Sequence, residues 1–282
     1  MKTDSTCLFR YTEDRLPVAL IASLFFLDLA AYAFLQNHIA VLAWALLGLG
    51  PKACICSWNH HHQHVSTFRG TWLNRALEVV YALHTGITTN AWVLHHNLGH
   101  HVNYLNQDKD ESGWKDSQGR TMSAFKYTCV IALTGYLRAY RVGHRHRKYQ
   151  RTFVSAGTFV AVLLALLLYY KPFNATAIFL VPLSCGYIIT CWHTYYHHAG
   201  LDSDNHFEAS HNIMHSWYNL FTGNLGYHTA HHMKPGLHWS QLPQFHRSIE
   251  HKIPARLFKA PCIPFCWIPD RKRPVDKAAL AA

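Results

Sequence analysis

The sequence is short of charge. Only 15% of its 282 residues are Asp, Glu, Lys or Arg, against about 25% in ordinary soluble domains. Acid is scarcer still, with 15 acidic residues against 26 basic ones. None of the eight cysteines forms a C-x-x-C pair, which excludes a zinc ribbon, a rubredoxin-type iron site and a redox dithiol. Cys54, Cys185 and Cys191 fall in apolar runs, where cysteine packs as a small hydrophobe. A reducing compartment and no disulfide framework are therefore expected. The chain has no convincing internal repeat, and its 50% hydrophobic and 14% aromatic content excludes low-complexity disorder.

What is present is histidine, 24 of them, and long apolar runs. A mean hydropathy of −0.06 suggests a soluble protein, yet it sums polar histidine-rich blocks with four near-spanning stretches. These are residues 17–36, 39–58, 152–170 and 175–192, each near the ~20 residues that cross a bilayer. Asp28 and Lys52 are the only charges within them. The turns at Asn37–His38 and Lys171–Asn174 are short, which predicts two transmembrane hairpins.

Charge placement gives a sidedness. Three basic residues precede the first span, twelve lie between spans two and three, and nine follow the fourth. Only Lys171 lies in the opposite turns. By the positive-inside rule both termini and the two polar regions face the cytoplasm. The net charge of +11 thus needs no nucleic acid. Asp4, Glu13 and Asp14 precede the first run, which lacks a cleavage pattern and is expected to stay as an anchor. Thr71–Trp92 and Thr121–Arg141 carry helical patterns suited to the membrane interface. The fold class expected is an all-α integral membrane protein, one domain over 1–282, with a cytoplasmic histidine-bearing cap.

The histidines cluster. WNHHHQHVSTF follows span two, LHHNLGHHVNY comes next, WHTYYHHAG follows span four, and GYHTAHHMKPGLHW comes last. On an α-helix His96 and His100 share one face, so both can reach one metal. Adjacent residues diverge by ~100°, so an H-H pair can serve two neighbouring metals. Nearly all-imidazole ligation suits iron, copper or zinc, and spacing does not choose among them. His38, His84, His144, His146, His206, His238, His246 and His251 are read as structural or solvated.

These boxes resemble the membrane fatty-acid desaturase superfamily, which includes alkane and xylene monooxygenases. His60–His64 with the following V-S-T-F is similar to its first box. His96-N-L-G-His100-His101, followed by D-K-D-E-S, is nearer the alkane-monooxygenase form of the second. N-L-G-Y-His228-T-A-His231-His232 with Pro235 resembles the third, and His197 matches an additional ligand after the last span. His193 stands where that pattern carries asparagine.

The resemblance implies a non-haem diiron centre using O₂ on a fatty acyl chain or lipid. Its ligands would be His60, His64, His96, His100, His101, His197, His228, His231 and His232. Flanking His61, His62, His95, His198, His211 and His215 are secondary candidates. Desaturation leads; hydroxylation or decarboxylation to a terminal alkene follows from the same chemistry. No H-P-G-G haem loop, rubredoxin cysteines or nucleotide fingerprint is present. Electrons would come from a separate ferredoxin, rubredoxin or cytochrome b5 steered to the basic face. The compact chain, without a retrieval tetrapeptide, points to a bacterial inner membrane rather than the endoplasmic reticulum. The competing class is a histidine-rich metal transporter, which would place its ligands near the bilayer midplane. A zinc-dependent lipid hydroxylase or hydrolase is a further alternative.

Overall fold

A computed structural model describes residues 7–271. Among them there is no β-strand, only three isolated bridges. The order is α1 (Arg15–Phe34), α2 (His38–His64), α3 (Thr71–Thr85), a π-helix (Val93–His101), α4 (Ala124–Gly143) and α5 (Arg147–Tyr170). Then come α6 (Pro172–Ala175), a π segment (Thr176–Leu180), α7 (Val181–His198), α8 (Ser216–Phe221), α9 (His228–Met233) and α10 (Leu242–Ile249).

Four stretches are long and apolar enough to cross a membrane: Thr12–Phe34, His38–His64, Arg147–Tyr170 and Pro172–His198. Each contains an expected span or nearly all of one. Asn37 starts α2 by accepting hydrogen bonds from the Ile39 and Ala40 amides at 2.8 and 3.2 Å. The helix then runs through Pro51 to His64. Its 27 residues reach roughly 40 Å at 1.5 Å each, more than a ~30 Å hydrocarbon core. The first histidine box is therefore the emerging end of the spanning helix.

The ends of α1 and α5 are tied together. Tyr32 Oη donates to the Leu167 carbonyl at 2.9 Å, and Asn174 Nδ2 donates to the Tyr32 and Leu35 carbonyls. Deeper in, Asp28 and Lys52 form a 2.9 Å ion pair, both almost fully buried. Trp44 Nε1 donates to Asp28, and Lys52 Nζ donates to the Ile178 carbonyl at 2.8 Å. Ile178 lies in the π segment, whose altered bonding frees carbonyls for such partners. A buried pair of this kind needs that full set of partners to be tolerated.

Helix α3 ends at Thr85, short of the expected Trp92. Gly86 closes it in the left-handed region at φ 68°, where a Cβ would come within 2.8 Å of the Leu183 carbonyl. Asn90, at φ 61°, turns the chain again before the π-helix. Helix α4 is close to its expected bounds, capped by the Ser123 hydroxyl. It packs on α7 and leaves Phe125 and Leu133 exposed, the pattern of a helix at an apolar interface.

Candidate metal centre

Three of the four histidine segments bring five imidazoles together. His60 and His64, one turn apart at the end of α2, have Nε2 atoms 3.1 Å apart. His60 Nε2 lies 2.9 Å from His96 Nε2, which is 3.0 Å from His101 Nε2, which is 3.1 Å from His231 Nε2. One nitrogen from each of the five lies within 4.8 Å of the others.

His96, His100 and His101 sit on a π-helix, not an α-helix. Its i→i+5 bonding widens the turn, so residues four and five apart both lie near one face: the His96 ring stacks on His100 with centroids 5.0 Å apart and meets His101 edge-on at 4.5 Å. It is the His96 Nε2 and His101 Nε2 atoms that meet, at 3.0 Å, while the His100 nitrogens point elsewhere, so the expected sharing of one metal by His96 and His100 is corrected. His100 turns to a second group. There His100 Nε2 is 3.3 Å from His198 Nε2, which is 3.0 Å from His228 Nε2, which is 3.2 Å from His232 Nε2. The expectation that adjacent pairs diverge holds twice. His101 and His231 enter the first group while His100 and His232 enter the second.

Short helix α9 carries three of these rings and is fixed from below. Asn212 accepts from the Thr229 amide and donates to the Thr229 hydroxyl at 2.8 Å. Gly226, just before it, passes so close to the Ile213 carbonyl that a Cβ would sit 2.0 Å away. Only glycine allows that approach.

The donor set suits metal. His198 Nδ1 donates to the Ala209 carbonyl at 2.9 Å, and His100 Nδ1 donates to the Asp110 carboxylate at 2.8 Å. Each ring then presents only a lone pair at Nε2, and the two lone pairs face each other. A cation between them removes the repulsion. Burial, reinforced by the neighbouring imidazoles, holds His96, His101, His228, His231 and His232 well below the ordinary histidine range. They are neutral at physiological pH, the form that ligates metals.

Eight of the nine proposed ligands lie in the two groups; His197 does not. Its Nδ1 donates to the His211 carbonyl at 3.1 Å and its Nε2 lies 3.3 Å from Tyr218 Oη. His198, one residue on, is the ring that α7 aims at the centre. His193 stands apart as well, 3.5 Å from the Cys262 thiol. In the first box His61 meets the Thr222 carbonyl, while His62 lies between Thr67 and Glu78, so both fasten the end of α2. His215 meets the Ile268 carbonyl. Three rings read as structural or solvated prove fully enclosed. His84 lies beside Asp28, His238 lies 3.1 Å from Asp14, and His246 is buried near Tyr227.

Asp110 is the partner that spacing alone did not single out. It stands in the D-K-D-E run after the second box, buried, and also accepts from the Ser112 amide at 2.8 Å. A ring-orienting carboxylate behind a ligating histidine is a recurrent arrangement.

A cavity lined by Cys56, Ile189, Thr194, Leu225 and the Trp92 ring adjoins both groups, touching His60, His96, His198 and His228. An apolar crevice lined by Ile87, Ala91, Ile131, Tyr136, Ala139 and Cys191 meets it at Trp92, Thr190 and Thr194. The histidines are thus reached from one side through a largely hydrocarbon-lined path.

The sequence model of the fatty acid desaturase family matches residues 36–261, 226 of the 282. No curated protein and no solved structure gives a significant match.

Proposed function

Because the chain belongs to the fatty acid desaturase family, we propose that it is an O₂-dependent membrane oxidoreductase with two iron ions. In this reading it introduces a double bond into a fatty acyl chain or lipid. Such a diiron centre, when loaded and reduced, supplies the oxidising power to abstract hydrogen from an unactivated C–H bond. His60, His64, His96, His101 and His231 would hold one ion, and His100, His198, His228 and His232 the other. The protein's own part is to keep these imidazoles neutral, to fix His100 through Asp110, and to bind the chain where water is scarce. The observation that carries the reading is the splitting of two adjacent histidine pairs between neighbouring groups beside an apolar crevice.

A second reading has the same site and a different outcome, hydroxylation or decarboxylation to a terminal alkene. Its decarboxylation branch is favoured by the unpartnered polar atoms of Trp92 and His95, which line that crevice and could hold a carboxyl oxygen close to the centre. Expression in a host of known lipid profile, followed by mass spectrometry of its lipids, decides between them. A new alkene within acyl chains supports desaturation. A hydroxy acid, or a chain one carbon shorter, replaces it with the second reading.

The transport reading fits poorly, because the histidines gather at the ends of α2 and α7 and not at a bilayer midplane. In keeping with the charge distribution, both termini would be cytoplasmic, in a bacterial inner membrane. Electrons would arrive from a separate acidic carrier on the basic face, a ferredoxin, a rubredoxin or a cytochrome b5. Donor-limited turnover should then fall steeply with added salt; a rate indifferent to salt contradicts that docking.

A further inference from the structure

The crevice that reaches the centre is apolar but not wholly so. Among its hydrocarbon walls, Trp92 Nε1 and His95 Nε2 are buried nitrogens without a hydrogen-bond partner. Trp92 is 9% exposed. Native proteins satisfy nearly all such groups, and each exception calls for a ligand, water or strain. Here two exceptions line one space. The Thr190 hydroxyl lies there too, with only the weak Cys56 thiol beside it.

Their placement converges. Gly135, on the α4 wall, has no room for a side chain: a Cβ there would come within 2.6 Å of Tyr187 Oη and 3.9 Å of His95 Nε2, so the glycine lets both polar groups close on the same stretch of α4. On the other side the Trp92 ring packs against His60 and His96, with centroids 5.1 and 4.8 Å apart. The polar atoms therefore sit one ring away from the first histidine group.

We infer that this crevice recognises the oxygenated end of the substrate, a carboxyl or carbonyl oxygen that accepts from Trp92 Nε1 and pairs with His95 Nε2. The inference rests on the acyl-chain reading of the site and adds which part of the chain lies at the centre. An indole N–H can only donate, so its partner must bring an acceptor. A plain hydrocarbon brings none and would leave both nitrogens unpaired, which a site built for oxygen penalises. With the oxygen beside Trp92, the carbons nearest it are those that face the metal groups. Reaction near the polar end, not at the far terminus, follows.

The test is equilibrium binding to the full-length protein in detergent, with radiolabelled palmitic acid and hexadecane as probes and no turnover. The wild type should bind the acid at least tenfold more tightly than the alkane. Trp92→Phe and His95→Leu should each weaken acid binding about three- to tenfold, the worth of one hydrogen bond, and leave hexadecane unchanged. His95→Gln, which keeps an N–H near the same place, should restore most of the acid's affinity. Equal affinity for acid and alkane overturns this inference and leaves the acyl-chain reading standing. So do variants that lose both ligands in parallel. A protein that binds neither chain overturns both.

Discussion

In the first histidine group five imidazoles from α2, the π-helix and α9 converge, yet the Nδ1 atoms of His60, His96 and His101 have no partner. In the second group the Asp110 carboxylate and the Ala209 carbonyl hold His100 and His198 from behind, while His228 and His232 lack such support. One group has more ligands; the other has two rings whose orientation and tautomer are set before any metal arrives. A ring fixed from behind loses less freedom on binding and offers a more basic nitrogen. The smaller group should therefore depend on its supporting contacts more than on ligand number.

The largest effect expected is at the end of α7. His198→Ala should remove about one metal ion per chain and reduce turnover to background, whereas His197→Ala should keep both ions. Metal analysis of the purified variants checks this, and the reverse pattern would return His197 to the centre. Next in size is Asp110→Asn. It should weaken metal binding about 10- to 100-fold, the usual cost of losing such a supporting carboxylate, and only in the second group. A chelator titration that shows equal weakening of both ions would break the distinction drawn here.

A smaller effect concerns what the groups share. In the metal-free protein, burial holds His96, His101, His228, His231 and His232 below their ordinary value of 6.5. The unfolded chain then takes up protons first as pH falls. Stability from these rings is fully present above about pH 6.5 and is lost progressively below it. The thermal midpoint of the metal-free protein should drop between about pH 7 and pH 5. A midpoint that stays level would mean that these rings bind protons equally in the folded and unfolded states, so that burial does not lower their affinity for protons.

Much of this was legible in residue spacing. The four spans follow from apolar runs, and eight of the nine grouped histidines follow from the boxes. The phase within the boxes was not. A 3.6-residue period puts His96 with His100, but the turn at Asn90 leads into a π-helix that pairs His96 with His101. The choice between His197 and His198 depends on the rotation of α7, which packing against α4 and α2 sets. Nothing in the local sequence marks His238 and His246, read as structural or solvated, as buried. They are buried by Asp14, 224 residues away, and by the packing around Tyr227 and Phe258. Spacing reports the residues of a site well and reports the twist of its helices poorly.

The central claim is that two adjacent histidine groups hold two ions. Iron quantification with X-ray absorption at the iron edge, on the full-length protein as purified, tests it most directly. The account predicts two irons per chain, each surrounded by imidazole nitrogen without sulfur, with a second iron in the neighbouring shell. One iron per chain, an isolated iron, or sulfur in the first shell would contradict it.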